Sequence, residues 1–379
     1  MNNLTPPDST SEIVPAASRF LTLRGPFAMK HGGQLRQARI AYETWGRLSP
    51  AKDNAILILA GFSASAHAAS QAGDPSPGWW EKMIGPGKAI DTDRWHVICV
   101  NALGSCFGST GPASVNPATG RPYRLDFPAL AMEDVADAAA CVVKALGIRQ
   151  LACLIGTSMG GMSALAYLSR NPGAARSHIN ISGAAQAATF AIALRSLQRQ
   201  AIRSDPDWAG GSYSQLRYPE NGMRIARMLG MLSYRSAAEW QQRFARDRVS
   251  PAAQGGAPFL PEFMVESYLQ HHADRFIGRY DPNCYLYLSR AIDRFDLAEI
   301  AGGDLSLALS QLVLQKALVI GTPTDVLFPL WQQEQIAEGL SAGSVPTDMV
   351  RLHSDHGHDA FLSDFDQLIP AMDRFLATL

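Results

Sequence analysis

A serine between glycines is the strongest chemical signal in the sequence. The pentapeptide GTSMG at residues 156–160 follows an apolar run and precedes a segment whose apolar residues recur at helical spacing. A G-x-S-x-G pattern between a strand and a helix is typical of a sharp turn that exposes a nucleophilic serine. The sequence therefore predicts that Ser158 is a nucleophile rather than part of a plain glycine-rich turn.

A serine hydroxyl needs a base and an orienting acid to attack at neutral pH. On folds of this kind the acid and then the histidine follow the serine along the chain. Asp325 lies just past the apolar run at 316–321, and His358 lies just past a predicted strand that ends near 353. Carboxyl ends of parallel strands meet at one edge of a sheet, where ligands bind. We therefore predict a catalytic triad of Ser158, Asp325 and His358.

Neighbouring residues are alternatives for these roles. His353 is expected to lie within the strand, and His356 to be a solvated loop residue. Asp355 would have to share the loop of the catalytic histidine, whereas Asp325 has a strand end of its own. Cys106 lies in GSCFGSTG, without the strand and helix that a nucleophile elbow needs, so a structural thiol is favoured.

Acyl transfer at a serine also needs two N–H donors for the developing oxyanion. The first is expected to be the backbone amide of Met159, directly after the nucleophile. The second is expected in the loop that follows the apolar run at 55–60, and we assign it to Phe62. An ordinary loop with an exposed phenylalanine is the alternative.

The elements that must position these residues alternate along the chain. The runs at 55–60, 96–103 and 151–156 are apolar on both faces, which is typical of central strands in a parallel sheet. Helical spacing follows at 132–146 and from 159, so the order indicates an α/β sheet with right-handed crossovers. The other predicted elements are strands at 38–45, 178–182, 316–321 and 348–353, and helices at 330–340 and after 359.

The pattern changes between about residues 183 and 304, where polar helical segments dominate and apolar strands are absent. An α/β core interrupted by a helical lid is the simplest organisation that explains this change. The predicted division is a mobile tail at 1–18, a core at 19–184 and 305–379, and a lid at 185–304.

Composition excludes several classes of protein. The 379 residues are 47% hydrophobic and carry a formal net charge of -1, which argues against disorder and against binding to nucleic acid or an anionic membrane. The five cysteines include no CxxC pair, and no spacing of His and Cys fits a metal site. No secretory signal or membrane span is evident, so a cytoplasmic protein without a metal is predicted.

Several longer motifs resemble one family. From about residue 21 to the C-terminus the chain resembles the homoserine/serine O-acyltransferases of the α/β-hydrolase superfamily. The resemblance implies that Ser158, Asp325 and His358 are the triad and that Arg199 and Asp359 bind the amino-acid substrate. It also implies a homodimer and acyl-CoA as co-substrate, with no further cofactor. The matching segments are AYETWG, GPGKAIDTDRWHVICVNALGSCFGSTGPASVNPATGRPYRLDFP, GTSMGGM, SLQRQAIRSDPDW, DPNCYLYLSRAIDRFD, TDVLFP and HGHDAFL.

One loop indicates a branch of this family. Residues 60–67 read AGFSASAH, where the acetyl-transferring homoserine enzymes have a His-Ala-Leu-Thr-Gly type loop. With the segment GWWEKMIGPGKAIDTDRW, this resembles the branch that acylates L-serine, the serine O-succinyltransferases of xanthomonad-type bacteria. The resemblance implies that specificity depends on Gly61, Phe62, Ser63 and Ala64.

The expected activity is transfer of an acyl group, with succinyl-CoA as donor, to the hydroxyl of L-serine by a ping-pong mechanism in cysteine biosynthesis. Arg199 would hold the carboxylate of the amino acid and Asp359 its ammonium group. The alternatives are a homoserine O-acetyltransferase or O-succinyltransferase of methionine biosynthesis, a plain esterase or thioesterase, and a binding protein without catalysis.

Overall fold

An eight-stranded sheet forms the centre of the molecule. The computed structural model describes residues 13–214, 216–250 and 259–379. The strands of the sheet lie in the order β1-β2-β4-β3-β5-β6-β7-β8, with β2 antiparallel to both neighbours and all other pairs parallel. Their bounds are β1 Arg19–Thr22, β2 Arg39–Trp45, β3 Ala55–Leu59, β4 His96–Val100, β5 Leu151–Thr157, β6 Ala175–Ile181, β7 Lys316–Gly321 and β8 Thr347–Arg351.

Both faces of the sheet are covered. Every residue of β3, β4 and β5 is buried, as expected for parallel strands between two layers. One apolar cluster joins one face to helices α1, α2 and α9, and a second joins the other face to α11 and to Trp80 and Met83. The α/β class that the alternating pattern predicts is confirmed.

The helices are α1 Met132–Ala145, α2 Met159–Arg170, α3 Thr189–Ser204, α4 Glu220–Tyr234, α5 Ala237–Phe244, α6 Met264–Asp274, α7 Pro282–Arg294, α8 Leu305–Ser310, α9 Leu330–Ala342, α10 Ala360–Ser363 and α11 Phe365–Leu376. Short strands pair as Phe27–Ala28 with Gln34–Leu35, Ile84–Gly85 with Ile90–Asp91, and Val115–Asn116 with Arg121–Pro122. Short 3₁₀ segments span Arg124–Asp126, Pro206–Gly211, Leu297–Ala301 and Gly357–Asp359.

Three details differ from the sequence-based elements. The strand β1 was not predicted, because its four residues are mostly exposed and give no apolar run. Strand β8 ends at Arg351, so His353 lies beyond the strand that was expected to contain it. The last helical stretch is divided into α10 and α11 at Asp364, whose backbone is non-helical with φ −94° and ψ 59°.

Helices α3 to α7 all lie between β6 and β7, which are neighbours in the sheet. We call these helices and their connections the lid; the domain limits at 185 and 304 stay a prediction. Most of the predicted mobile tail, residues 1–12, lies outside the described residues. Beyond it, the Ala16 N–H donates to Asp74 at 3.1 Å and the Ser18 hydroxyl donates to Glu43 at 3.4 Å.

Within the described ranges, no helix is long and apolar enough to cross a membrane. The same residues contain no group of three or more His, Cys, Asp or Glu side chains that could hold a metal ion.

Candidate active site

Ser158 occupies a strained turn between β5 and α2. Its backbone has φ 55° and ψ −123°, a conformation that side-chain-bearing residues rarely adopt. The flanking glycines make the turn possible: a Cβ at Gly160 would lie 1.9 Å from the Leu59 carbonyl oxygen, and one at Gly156 would lie 2.5 Å from the Gly160 oxygen. The local sequence therefore allows the close approach of strand and helix that a serine on such a turn requires.

Ser158, His358 and Asp325 form a continuous chain of hydrogen bonds. His358 Nε2 lies 2.7 Å from Ser158 Oγ, and His358 Nδ1 lies 2.6 Å from Asp325 Oδ2. Because a carboxylate only accepts, Nδ1–H donates to Asp325 and leaves Nε2 free to accept the serine proton. The three side chains are buried, with 8%, 4% and 3% of their residue surfaces exposed.

The environment of His358 favours its protonated form. Burial lowers the pKa of His358, but the charge of Asp325 and its hydrogen bond more than offset burial and leave the pKa above 6.5, its ordinary value. Such an imidazole accepts a proton readily during attack by the serine, and it loses the ability to act as a base when the pH falls.

Backbone groups hold Asp325 in place. Its Oδ1 accepts from the N–H groups of Leu327 and Phe328, each at 2.8 Å, so Oδ2 is directed to the histidine. The ring of Phe328 stacks on the His358 imidazole with 5.0 Å between centroids. Orientation of the base therefore depends on one short segment after β7.

The alternative residues lie in other environments. His356 Nδ1 contacts Asp364 at 3.0 Å, and His353 is exposed. Asp355 is also exposed and contributes its carbonyl oxygen to a hydrogen bond from Ser236. Cys106 is buried, and its sulfur accepts from the Asp281 N–H at 3.4 Å. None of these four residues takes part in the hydrogen-bonded chain of Ser158, His358 and Asp325.

The loop after β3 passes close to the nucleophile. The Ala64 N–H donates to the Gly61 carbonyl at 3.3 Å and closes a turn around Phe62 and Ser63. A Cβ at Gly61 would lie 3.6 Å from Ser158 Cβ, so this turn is in van der Waals contact with the turn that carries Ser158. On the other side, Met159 is the first residue of α2, so its N–H has no acceptor within the helix. Both predicted oxyanion donors thus belong to segments that adjoin Ser158.

A cavity of about 220 Å³ opens over the serine. Its core side includes the four predicted specificity residues 61–64, with Ser158 and His358, and its lid side includes Arg195, Tyr234 and Tyr285. Trp79 and Phe361 add apolar surface to the wall. Charged side chains are few in such a cavity, and their positions therefore determine which ligands it can bind.

Among the described residues that line this cavity, one is an arginine, Arg195. Its exposed fraction is 6%. Its Nε donates to Asp293 at 2.5 Å, while its Nη2 is buried without a hydrogen-bond partner. Arg199, the arginine predicted from sequence, lies one turn further along α3 and is not among the lining residues. Its Nη1 contacts Asp293 at 2.6 Å and the Ser289 hydroxyl at 2.8 Å. Two guanidinium groups thus share one carboxylate, which leaves an excess positive charge.

Asp359 lies in the cavity wall directly after His358. Burial raises the pKa of its carboxyl, although His358, Arg235 and Arg227 oppose that rise. Its Oδ2 lies 3.4 Å from Arg235 Nε.

Arg227 lines a smaller adjoining cavity that shares Phe62 and Tyr234 with the main one, and Arg227 Nε is buried without a hydrogen-bond partner.

Sequence reasoning did not single out Arg195 and Arg227, because it selected the lid arginine by family resemblance and not by its position on the helix. A signal did exist in α3. Ala191, Gln198 and Ile202 are its other buried residues, and Arg195 shares their spacing of three and four. Arg199 lies about 80° around the helix from Ala191 at 3.6 residues per turn.

A family model described as the alpha/beta hydrolase fold matches residues 54–365. A serine O-succinyltransferase of Xanthomonas campestris is 60% identical over 97% of this chain and 99% of its own length. One from Stenotrophomonas maltophilia is 59% identical over 97% of this chain and all of its own length.

Solved structures give the same fold. A homoserine O-acetyltransferase from Bacillus anthracis superposes with a TM-score of 0.87 at 28% identity, over 95% of this chain and 97% of that one. Esterase E22 superposes with a TM-score of 0.85 at 31% identity, over 95% of this chain and 99% of that one. Acyl transfer to an amino acid and hydrolysis of an ester therefore both occur on this architecture.

Proposed function

Because this chain belongs to the α/β-hydrolase family and, within it, to the serine O-succinyltransferases, we propose that it transfers a succinyl group to the hydroxyl of L-serine. The family resemblance predicted from the sequence motifs is confirmed. The observation that carries the proposal for this molecule is the hydrogen-bonded chain Ser158–His358–Asp325 at the base of a cavity that also holds Arg195 and Asp359.

The first half-reaction acylates the enzyme. His358 Nε2 takes the proton of Ser158 Oγ as that oxygen attacks the thioester carbonyl of succinyl-CoA. The N–H groups of Met159 and Phe62 stabilise the oxyanion of the tetrahedral intermediate. The carbon–sulfur bond then breaks, and His358 returns the proton to the departing CoA thiolate, which leaves a succinyl ester on Ser158.

The second half-reaction repeats these steps with L-serine as the nucleophile. His358 accepts the proton of the substrate hydroxyl as its oxygen attacks the acyl ester, and the same two N–H groups hold the new oxyanion. Collapse restores Ser158 with its proton and releases O-succinyl-L-serine. The cavity favours transfer over hydrolysis when it holds the amino acid where water would otherwise attack.

Arg195 is proposed to select the acyl group. Its unpartnered Nη2 and the excess positive charge of the Arg195–Asp293–Arg199 cluster suit a carboxylate at the far end of the acyl chain. A succinyl group carries such a carboxylate, whereas an acetyl group would leave the buried donor unpaired at a cost in free energy.

Asp359 is proposed to hold the ammonium group of L-serine. Arg199 remains the sequence-based proposal for the residue that binds the substrate carboxylate, although its guanidinium is paired with Asp293 and it is not among the residues that line the cavity. Arg227 is the rival, since its buried and unpartnered Nε lies in the adjoining cavity beside the specificity loop. The proposal also includes acyl-CoA as the co-substrate, a homodimer and a cytoplasmic location.

A matrix of substrates tests this function. Succinyl-CoA and acetyl-CoA are each combined with L-serine or L-homoserine, and release of free CoA is followed with the wild-type protein and with Ser158→Ala. We expect release that depends strongly on L-serine and succinyl-CoA together. Faster reaction with L-homoserine would support the activity of the Bacillus anthracis neighbour, and release that ignores the amino acid would indicate a hydrolase.

A further inference from the structure

A tyrosine of the lid is hydrogen-bonded to the backbone of the loop that carries Phe62. Tyr280 immediately precedes Asp281, the residue that caps α7, and it is 2% exposed. Its hydroxyl donates to the carbonyl oxygen of Phe62 at 3.0 Å. Burial raises the pKa of Tyr280 far above its ordinary value, so the hydroxyl keeps the proton that it donates.

Ring contacts leave this hydroxyl little freedom. The rings of Tyr280 and Phe62 are stacked with 5.6 Å between centroids and 20° between planes. Phe107 of the core meets the same tyrosine nearly edge-on at 5.5 Å, and Phe276 of the lid stacks on it at 6.0 Å. The Tyr218 hydroxyl also donates to the Tyr280 carbonyl at 2.7 Å. Tyr280 is therefore held from both the core and the lid.

The turn geometry explains why the Phe62 carbonyl matters. The Gly61 carbonyl accepts from the Ala64 N–H and so points into the turn. In a trans peptide the C=O and the N–H lie on opposite sides, so the Phe62 N–H of that same peptide points away from the turn. The bond from Tyr280 fixes the next peptide, between Phe62 and Ser63. Both peptide planes that flank Phe62 are thus held.

We propose that Tyr280 is a positioning residue for the oxyanion hole: the lid hydroxyl holds the turn that presents the Phe62 N–H to the reacting carbonyl. This inference rests on the proposed role of Phe62 as an oxyanion donor. It has a distinctive kinetic consequence. Acylation and transfer both pass through a tetrahedral oxyanion, so a loosened donor slows both steps by the same factor.

The test compares two tyrosines that make the same kind of bond. Tyr280→Phe removes the hydroxyl and keeps the ring, while Tyr287→Phe removes a lid hydroxyl that donates to the Phe127 carbonyl at 2.8 Å. Loss of an oxyanion donor costs about 100-fold to 1,000-fold in kcat, and its displacement should cost less, about 10-fold. We expect Tyr280→Phe to slow single-turnover acylation and transfer equally by about that factor with KM unchanged, and Tyr287→Phe to change neither step.

Hydrolysis of p-nitrophenyl acetate separates this inference from the proposed function, because it uses the same oxyanion hole without CoA or L-serine. A wild-type protein that hydrolyses the ester without transferring succinyl would refute the proposed function, while slower hydrolysis by Tyr280→Phe would still support the positioning role. Unchanged rates in Tyr280→Phe, or slowing of one half-reaction alone, would overturn it. If Tyr280→Phe does not fold, Tyr218→Phe takes its place: a smaller but equal slowing supports the role, and unchanged rates overturn it.

Discussion

The core and the lid hold their site residues by different means. In the core, backbone geometry fixes the side chains: Ser158 has a positive φ at the start of α2, and two N–H groups hold Asp325. In the lid, side chains hold side chains: Asp293 pairs with both Arg195 and Arg199. The core arrangement suits a reaction common to many acyl substrates, whereas a lid ion pair can be exchanged by one substitution. We infer that the core supplies the reacting groups and that the lid supplies the charge that selects the acyl group.

Loss of the nucleophile should have the largest effect and should fall on the reaction alone. Ser158→Ala is expected to lower kcat by about a millionfold, because the members of a serine triad act as a unit. The Ser158→Ala/His358→Ala double variant should be little worse, and mass spectrometry should detect no succinyl adduct on either. Binding of L-serine, measured by calorimetry, should persist; its loss would contradict the division between core and lid.

The acid of the triad should come next. Asp325→Asn is expected to lower kcat about 10,000-fold, since an amide in place of the carboxylate disfavours the required histidine tautomer. Asp355→Asn is the matched control, because that exposed carboxylate lies three residues before His358 and is expected to leave kcat near the wild-type value. Equal losses in steady-state assays would show that the wrong acid has been assigned.

Removal of the acyl-binding arginine should act on selectivity instead of on the reaction. Arg195→Gln deletes the charge that is proposed to bind the succinyl carboxylate, and loss of a buried charged partner costs about 2 kcal/mol or more. We therefore expect the ratio of kcat/KM for succinyl-CoA over acetyl-CoA to fall by about 30-fold. A ratio that stays constant while both rates fall would assign Arg195 to the fold or to the common chemistry.

The acceptor arginine can be identified by a smaller, step-specific effect. Whichever of Arg199→Ala and Arg227→Ala removes the carboxylate anchor should slow transfer to L-serine while leaving acylation by succinyl-CoA near normal. Single-turnover measurements of the two steps in both variants make the choice. Replacement of the true anchor by lysine should restore only part of the transfer rate, because an ammonium group cannot form the paired contacts of a guanidinium. Slowing of acylation by both variants would remove both from this role.

The pH dependence should respond most strongly to Asp325 in the core. His358 must be neutral to act as a base, and its pKa lies above 6.5 because of Asp325, so acylation should decline as the pH falls through a midpoint above that value. In Asp325→Asn the residual activity should decline at a lower pH, since the stabilising charge is gone while burial remains. The charge of Arg195 lowers the pKa of His358 by less than Asp325 raises it, so Arg195→Gln should move the midpoint upward, and by less than Asp325→Asn moves it downward. A larger shift in Arg195→Gln would contradict this ranking.

The site residues of the core could be predicted from the sequence more readily than the arginines of the lid. Ser158, Asp325 and His358 could be brought together because each follows a strand of the sheet, and the carboxyl ends of parallel strands converge at one edge. Arg195, the arginine of α3 that faces the cavity, was harder to choose from sequence than the core residues. Its partner Asp293 is nearly 100 residues away and lies on another helix, so no local pattern marks the pair. Strand β1 was not predicted because it lies at an exposed edge of the sheet, where the residues of a strand need not be apolar.

The insertion of the lid between β6 and β7 also has a consequence for synthesis of the chain. Ser158 and His358 are 200 positions apart, and all of α3 to α7 is translated between them. At about 5–20 residues per second, the nascent polypeptide carries Ser158 for about 10–40 s before the ribosome adds His358. A half-made chain on the ribosome therefore lacks the imidazole that hydrogen-bonds to Ser158, and the complete Ser158–His358–Asp325 arrangement forms only after the whole lid has been made.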